Sequence, residues 1–359
     1  MAVIRPSDLP AAPSVSNSDE FAVDTGAAVQ KATPGQIVDA AIPLASQAEA
    51  EAGTDNDKRV TPLRVKQAID ALGVSQAVLS STALGDGAAL VGYSPDFVGA
   101  TGRGLLSRLE EKAYAKDFGA TGDGVTDDTV ALQAWANSGA KHLVLGDGTF
   151  NITDTLTIPS TFEVLDFAGG TISYSGTRDR TAVVMGSSGT AITGQVKAVR
   201  VVSAVTSDWL DANYIGVQAY SGRFSDLFFE FIRGFHTGVQ CRADGGGFAY
   251  NTIRLGYFAN NKYGINLHSV GGSTGFPNEN LFLGGEFQIT SGVNDSEDAW
   301  GILFSTEGAS PYRNHNRNVF MKPSFELGNA VSGTVREPVL FDGCGTQNRI
   351  IGARFETGR

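Results

Sequence analysis

The chain has 359 residues, including 45 glycines, and only 18% of its residues are charged, against about 25% in an average soluble domain. That length can bury more than one core, and many glycines with few charges favour a turn-rich, repetitive all-β architecture. The net charge of −11 argues against a nucleic-acid-binding surface, which would be basic. Polysaccharides remain candidate ligands, because polar and aromatic side chains often bind them.

Neither the cysteines nor the N-terminus of the sequence indicates a catalytic or targeting function. Cys241 and Cys344 are the only cysteines and lie in no CxxC motif, so we expect two free thiols in the interior. The N-terminus lacks the apolar centre of a signal peptide, and no run approaches the ~20 apolar residues of a membrane span. We therefore expect a protein made in a cytosol, without membrane insertion or a standard export signal.

The N-terminal region is predicted to attach to something else. Residues 1–40 are rich in Ala, Pro, Ser and Asp and lack periodicity, which predicts a segment that is extended along a partner or disordered when alone. Two short helices should follow, over residues 47–52 after a capping box at Ser46 and over residues 62–72 after Thr61. An eleven-residue amphipathic helix is too short to be stable alone, so its apolar stripe predicts docking. The alternative is a small self-contained helical hairpin.

Residues 76–112 are predicted to form a connector. A turn and a short strand occupy residues 85–93, and residues 103–112 form a helix with Leu105, Leu106 and Leu109 on one face. A strand is predicted next, over residues 113–118.

A glycine-rich turn and a second helix follow that strand. The glycines of the turn permit positive φ, and Thr126 is predicted to be the N-cap of a helix over residues 127–137. We expect Asp123, Asp127 and Asp128 to serve this architecture, because their spacing does not match a calcium-binding loop. This helix is apolar enough to cover the end of a core.

From about residue 113 onward the sequence repeats. Asparagine begins four similar segments, at Asn251, Asn280, Asn318 and Asn348, which lie 29, 38 and 30 residues apart. A phenylalanine ends each segment, at Phe258, Phe287, Phe325 and Phe355. A second strand recurs between them, starting at Gly216, Gly238, Gly264, Gly301 and Pro338.

Two interleaved strand families with this period predict a solenoid of parallel sheets. The phenylalanines should stack inside it, and the asparagines should form a ladder of amide hydrogen bonds. The helix over residues 127–137 should close the first end of the solenoid, and we expect the solenoid to continue beyond Arg359.

Two runs carry a family resemblance. Residues 116–129, KDFGATGDGVTDDT, and residues 142–159, HLVLGDGTFNITDTLTIP, resemble the opening of the pectate-lyase-like domain of bacteriophage tailspikes. Residues 45–69 also resemble a recurring motif of phage tail-fibre proteins, and the connector resembles the neck before tailspike β-helices. The resemblance implies a mainly β fold, a right-handed parallel β-helix, preceded by a small helical or extended region that attaches to the virion.

The domain boundaries follow from this resemblance. Residues 1–75 would be the attachment region, 76–112 the neck and 113–359 the β-helix, incomplete at its C-terminus. The resemblance implies a homotrimer located in the phage tail of the virion and assembled in the host cytoplasm. Its partners would be tail, baseplate or collar proteins and host surface polysaccharide, with no nucleic acid.

The resemblance implies a polysaccharide depolymerase, either a glycoside hydrolase or a lyase, as one activity, although the residues themselves leave open whether the chain is an enzyme. One alternative is a non-enzymatic structural adaptor that carries a downstream receptor-binding part. A free polysaccharide lyase is disfavoured by the missing signal peptide. No residue matches the calcium-and-arginine site of pectate lyases, so we expect no metal and no cofactor.

Four residues are candidate site residues. Glu326 and Glu356 each follow a column phenylalanine, so both should point outward on adjacent rungs, with Cβ atoms about 5 Å apart. Two carboxyl groups about 5–5.5 Å apart are typical of a retaining glycosidase, which makes them a candidate catalytic pair. The alternative is an exposed acidic ladder. Asp298 and Trp300 are candidate substrate-binding residues, since an indole can stack on a sugar. The four histidines are scattered, and no serine–histidine–acid pattern stands out.

Overall fold

A computed structural model describes residues 21–24, 29–32, 91–93, 98–205, 209, 211–270, 275–290, 293–294, 296–307, 315–328, 333–342 and 345–356. The chain forms two compact units, Met1–Arg108 and Leu109–Arg359. The helices predicted over residues 47–52 and 62–72 lie outside the described residues, as does Cys344.

The first unit contributes two small antiparallel pairs. β1 (Phe21–Asp24) pairs with β2 (Val29–Ala32), and β3 (Gly92–Tyr93) pairs with β4 (Arg103–Gly104). The helix predicted over residues 103–112 is shorter than expected and spans only α1 (Leu105–Leu109). Arg103 and Gly104, the first two residues of the predicted helix, are instead held in an extended conformation because they pair with β3.

The second unit is built almost entirely of strands. Within its described residues, one short helix, α2 (Thr129–Ala136), and a 3-10 helix over Ala115–Phe118 interrupt them. The strands are β5 (Lys112–Tyr114), β6 (Asp123–Asp127), β7 (His142–Val144), β8 (Thr149–Ile152), β9 (Leu156–Ile158), β10 (Val164–Asp166), β11 (Thr171–Tyr174), β12 (Val183–Met185), β13 (Gln195–Ser203), β14 (Ile215–Tyr220), β15 (Asp226–Arg233), β16 (Thr237–Ala243), β17 (Phe248–Ala249), β18 (Thr252–Ala259), β19 (Tyr263–Val270), β20 (Pro277–Asn278), β21 (Leu281–Gln288), β22 (Ala299–Glu307), β23 (Val319–Met321), β24 (Ser324–Glu326), β25 (Arg336–Phe341), β26 (Arg349–Ile351) and β27 (Arg354–Phe355).

These strands form a parallel β-helix, as the sequence predicts. The first sheet has 14 strands and the second has 7, and neighbouring strands within each sheet are parallel. The second sheet runs in the order β25-β22-β19-β16-β14-β12-β9. In the first sheet, β21 pairs with β23 through its first half and with β24 through its second half. Each full coil therefore adds one rung to three stacks.

The predicted asparagine ladder is confirmed. The Nδ2 of each amide donates to the Oδ1 of the next, from Asn251 to Asn280 at 2.9 Å, from Asn280 to Asn318 at 2.8 Å and from Asn318 to Asn348 at 3.0 Å. Ser225 extends the ladder by one coil, because its backbone N–H donates to Asn251 at 3.0 Å. The first three asparagines are at most 2% exposed, so the ladder satisfies polar groups that water cannot reach.

The ladder also compensates a strained turn. The residue before each ladder asparagine has a positive φ: Tyr250 at 60°, Glu279 at 55°, Arg317 at 56° and Gln347 at 65°. Such a conformation is unfavourable for residues other than glycine, by about 1–3 kcal/mol each. The hydrogen bonds of the next residue therefore hold each coil in a conformation that its local sequence disfavours.

The phenylalanine column is also confirmed. Neighbouring ring centroids are 5.2 Å apart for Phe258 and Phe287, 5.3 Å for Phe287 and Phe325 and 5.6 Å for Phe325 and Phe355. The first three rings are buried, whereas Phe355 is 60% exposed. Cys241 is a free, buried thiol, as predicted, and burial raises its pKa.

Helix α2 contacts the first strands of both sheets. Trp135 is fully buried and its indole Nε1 donates to the carbonyl of Ala113 in β5 at 2.9 Å. Gln133 exchanges two hydrogen bonds with the backbone of Thr157 in β9, at 2.8 and 3.0 Å. On the opposite face of α2, Val130 is 83% exposed. The helix therefore covers the first end of the solenoid, as the sequence predicts.

The segment that precedes helix α2 differs from the prediction. The strand predicted over residues 113–118 ends at Tyr114, and a 3-10 helix replaces its second half. The α-helix begins at Thr129 instead of residue 127, and Asp128 is its N-cap, so the assignment of Thr126 as N-cap is wrong. The hydroxyl of Thr126 instead donates to Asp123, which removes it from the helix.

The three aspartates of this segment are structural. Their carboxylates accept hydrogen bonds, Asp123 from Thr126, Asp127 from Thr129 and Asp128 from Gly122. These bonds favour the charged form and lower the pKa of Asp123 and Asp127. Gly122 has φ of 69°, and a Cβ there would lie 2.9 Å from the ring of Phe150, so both the turn and the packing require glycine.

Candidate functional site

The outer face of the second sheet carries polar side chains in register. Val217, Val239 and Ile265 occupy one position of β14, β16 and β19 and are fully buried, so the following residue of each strand faces outward. Those outward residues are Gln218, Gln240 and Asn266. Two residues further along, a second outward column contains Tyr220, Arg242, His268 and Ser305.

A groove of about 550 Å³ lies over these two columns. Its lining includes Gln218, Gln240, Asn266, His268 and Tyr263. The Nε2 of Gln218 donates to the Oε1 of Gln240, so the amides are linked across the strands. A volume in this range accommodates small organic ligands, for which polar groups placed along the wall fix the orientation. Uncharged amides and aromatic rings suit a ligand that is rich in hydroxyl groups.

Five polar side chains at one part of the groove form a network. The Oγ of Ser305 lies 2.8 Å from the Nδ1 of His268 and 2.9 Å from the Oδ1 of Asn266. The Nε2 of His268 lies 3.5 Å from the Oε2 of Glu307, which also accepts a hydrogen bond from Arg242 at 3.2 Å. The side chain of His268 is 13% exposed and that of Glu307 is 57% exposed, so the network runs from the wall to the rim.

The imidazole of His268 is held in its neutral form. Burial is the main cause that lowers its pKa, and the positive charge of Arg242 acts in the same direction. The hydrogen bond and negative charge of Glu307 oppose this shift without cancelling it. A neutral imidazole can accept a proton from a neighbouring hydroxyl at neutral pH, which is the state that a general base requires.

An aromatic row borders the groove. The ring of Tyr263 lies 5.1 Å from that of His236 and is stacked on Trp300, with centroids 5.4 Å apart and planes 10° apart. Burial, with a smaller contribution from Lys262, lowers the pKa of His236 to about 4. Trp300, a predicted substrate-binding residue, therefore lies one rung beyond a ring that lines the groove.

Asp298, the other predicted substrate-binding residue, is engaged with the protein backbone. Its Oδ1 accepts a hydrogen bond from the N–H of Val335 at 2.6 Å. This contact orders the chain that leads into β25. The substrate-binding role of Asp298 and Trp300 stays a prediction.

Glu326 and Glu356, the predicted catalytic pair, lie with the first sheet rather than on the wall of the groove. Glu326 pairs in register with Gln288 and accepts a hydrogen bond from it at 3.2 Å. The guanidinium of Arg354 lies 3.8 Å from Glu326 and also contacts Glu356. The two carboxylates thus share a cation that offsets their mutual repulsion. Their catalytic role stays a prediction.

Sequence reasoning missed most of the groove. The amides occupy the third position of repeated strand segments, GVQ from Gly216, GVQ from Gly238 and GIN from Gly264, which is a readable signal for an outward polar column. No serine–histidine–acid pattern stands out in the sequence, yet the structure brings a serine, a histidine and a glutamate into contact. Ser305 and His268 are 37 residues apart in the chain and become neighbours only through the pairing of β19 with β22.

The described residues offer neither a metal site nor a membrane-spanning helix. Within the described residues, His, Cys, Asp and Glu side chains form no group of three or more that could hold a metal ion. No helix in the described part of the chain is long and apolar enough to cross a membrane.

No protein-family model matches the chain, and no curated protein matches it. Among solved structures, the chain is similar to phage proteins. ORF18 of Geobacillus virus E2 is 16% identical, with 70% of this chain and 62% of that chain covered and a TM-score of 0.42. A mutant tailspike protein of E. coli bacteriophage HK620, in complex with a hexasaccharide, is 13% identical, with 79% and 63% covered and a TM-score of 0.45. Tailspike protein 3 of bacteriophage CBA120 is 16% identical, with 81% and 50% covered and a TM-score of 0.34. The chain therefore spans less than two thirds of the length of these proteins.

Proposed function

We propose that this chain is a subunit of a bacteriophage tailspike or tail fibre and that the groove on its second sheet binds host surface polysaccharide. The groove is the observation that carries the proposal. It combines a column of hydrogen-bonded amides, Gln218 and Gln240, with the ring of Tyr263 on a rigid sheet. Amides can donate to and accept from sugar hydroxyls, and an aromatic ring offers an apolar face to a pyranose ring.

The wider organisation rests on the resemblance of the sequence runs. Residues 1–75 would attach the chain to tail, baseplate or collar proteins of the virion, and three copies would form a homotrimer. The protein would be assembled in the host cytoplasm as part of the phage tail. Light scattering of the full chain at three times the 37.6 kDa mass of one copy would support the trimer. A monomer mass would contradict it.

Binding of glycans to the full chain tests the groove. The probe is a panel of immobilised bacterial capsular and O-antigen polysaccharides. We expect the double variant Gln218→Ala/Gln240→Ala to bind the recognised glycan about 5- to 150-fold more weakly, because two hydrogen-bonding side chains are worth roughly 1–3 kcal/mol together. Arg254→Ala is the matched control, since Arg254 lies on the first sheet and should leave the affinity unchanged.

Two outcomes would count against the proposal in different ways. An unchanged affinity of the double variant would place glycan binding elsewhere on the chain. Failure of the wild-type protein to bind any glycan of the panel would favour the second candidate, a structural adaptor that carries a separate receptor-binding part. Depolymerisation by Glu326 and Glu356 is an independent proposal, because these residues do not line the groove.

A further inference from the structure

We infer that Ser305, His268 and Glu307 form a nucleophile–base–acid arrangement that removes acyl groups, such as O-acetyl esters, from a sugar in the groove. This inference rests on the proposed glycan binding for its substrate, whereas the chemistry rests on the side chains themselves. The three residues line the groove together. Their order in space is serine hydroxyl, imidazole, carboxylate, which is the order that acyl transfer by a serine requires.

The contacts give the serine a base. The Oγ of Ser305 lies 2.8 Å from the Nδ1 of His268, within the range of a hydrogen bond between a nucleophile and its base. In the structure the Ser305 hydroxyl donates to the Oδ1 of Asn266 at 2.9 Å. A 180° rotation of this amide, which exchanges its oxygen and nitrogen, would present Nδ2 to Ser305 and free the hydroxyl proton for His268. His268 is then protonated on Nε2, the nitrogen that faces Glu307.

Glu307 and Arg242 are positioning residues in this arrangement. The Oε2 of Glu307 lies 3.5 Å from the Nε2 of His268, and the exposed carboxylate can close this distance as the imidazole becomes charged. Arg242 donates to the same oxygen at 3.2 Å and keeps the carboxylate near the imidazole. Glu307 thereby stabilises the imidazolium that forms during the reaction.

With its amide rotated in this way, Asn266 would supply a donor for the oxyanion. Its amide lies 2.9 Å from the Oγ of Ser305, and thus beside the carbonyl carbon that the serine would attack. A side-chain amide in this position stabilises the negative charge of a tetrahedral intermediate, and loss of one such donor typically lowers kcat by about 10²–10³-fold.

The reaction balances without a cofactor. The Oγ of Ser305 attacks the acyl carbon, its proton moves to the Nδ1 of His268, and the bond to the sugar oxygen breaks as that oxygen takes the proton. Water then attacks the acyl-serine, gives its proton to His268 and releases the acid, after which His268 returns the proton to Ser305. The serine, histidine and glutamate suit the cleavage of an ester better than that of a glycosidic bond, because glycosidases generally rely on paired carboxylic acids.

A fluorophosphonate probe tests the nucleophile on the full chain. We expect peptide mass spectrometry to find the label on Ser305, and His268→Gln to abolish labelling. Ser173→Ala is the matched control, since Ser173 is a strand serine of the first sheet, and it should be labelled as the wild type is. Release of p-nitrophenol from p-nitrophenyl acetate should fall at least 100-fold in Ser305→Ala, as expected for loss of a nucleophile with its base.

The pH profile separates catalysis from folding. Glu307 raises the pKa of His268, so Glu307→Gln should move the acidic limb of kcat/KM for p-nitrophenyl acetate to lower pH. Asn266→Asp should lower kcat by about 10²–10³-fold with little change in KM. A variant that is merely less stable would not shift the limb.

The outcomes distinguish this inference from the proposed function. Glycan binding by the wild-type chain without labelling of Ser305 would overturn the esterase and leave the groove assignment standing. Labelling of Ser305 without glycan binding would support the esterase chemistry and contradict the polysaccharide site. Equal hydrolysis by wild type and Ser305→Ala would also overturn the esterase.

Discussion

The outer faces of the two long sheets differ in the polar side chains that they carry and in how these side chains are paired. On the first sheet, charges are paired across neighbouring rungs, as in the contacts of Arg200 with Glu230 at 2.9 Å and of Arg254 with Asp226 at 3.1 Å. On the second sheet, the outward columns combine three amides, a histidine and a serine with one ion pair, Arg242 with Glu307 at 3.2 Å, and these side chains converge on a groove. Both faces are built on the same coils and cover the same kind of apolar core. The solenoid therefore fixes the positions of the side chains, whereas the outward side chains themselves decide which face can bind a ligand.

The largest expected effect comes from opening the end that both sheets share. Trp135→Asp should lower the free energy of unfolding by at least about 5 kcal/mol, because loss of a buried tryptophan costs about 3–5 kcal/mol and the new carboxylate would be buried without a partner. Thermal unfolding by circular dichroism measures this. Val130→Asp, on the exposed face of the same helix, is the control, and an unchanged melting temperature of Trp135→Asp would contradict the covering role.

Acid should weaken the packing beneath the second sheet. His315 is fully buried, its Nε2 lies 3.1 Å from the carbonyl of Leu267, and its ring packs edge-on against Phe304. Burial lowers its pKa to about 4, so the folded state resists a proton that the unfolded state takes up below about pH 6.5.

The stabilisation from neutral His315 is therefore complete above pH 6.5 and is lost as pH falls towards 4, by up to about 3 kcal/mol. Urea unfolding between pH 7 and 4 measures the loss, and His315→Gln should show a shallower decline than the wild type. Identical slopes for the two proteins would contradict the assignment. His236, whose pKa is also lowered to about 4, contributes equally to both slopes.

A smaller loss of stability is expected when an amide is removed, and it should be larger for an amide of the asparagine ladder than for an amide of the groove. Asn280→Ala should cost about 2–3 kcal/mol, because it leaves the buried carbonyl of Phe248 and the amide of Asn318 without their donor. Gln240→Ala should cost less, about 1 kcal/mol, since the contact that it removes is a single hydrogen bond, which Gln240 accepts from Gln218. Chemical denaturation measures both free energies of unfolding, and equal losses in the two variants would contradict the distinction between ladder amides and groove amides.

The smallest expected effect is on the predicted glutamate pair. Glu326→Gln should change stability by less than about 0.5 kcal/mol, as expected for a partly exposed ion pair, and should leave glycan binding in the groove unchanged. Release of reducing ends from the bound polysaccharide is the decisive readout. A loss of more than tenfold in Glu326→Gln and Glu356→Gln would instead support the acid/base pair that the sequence predicts.

Most of the fold could be predicted because it repeats. Residues that occupy equivalent positions in successive coils face the same environment, so Asn251, Asn280 and Asn318 recur together with the phenylalanines that follow them. The start of helix α2 could not be predicted as well. Thr126 and Asp128 are both residue types that favour the N-cap position. The neighbouring turn decides between them, because the hydroxyl of Thr126 donates to Asp123 there.

The sequence by itself determined the parallel solenoid, its inward columns and the helix at its first end, because these follow from periodicity and from the polarity of single positions. Only the tertiary structure decided which outward side chains meet. Coils of unequal length separate Gln240, His268 and Ser305 along the chain, and strand pairing brings them to one groove. The chemistry of the site therefore depends on register between coils, which a single strand does not encode.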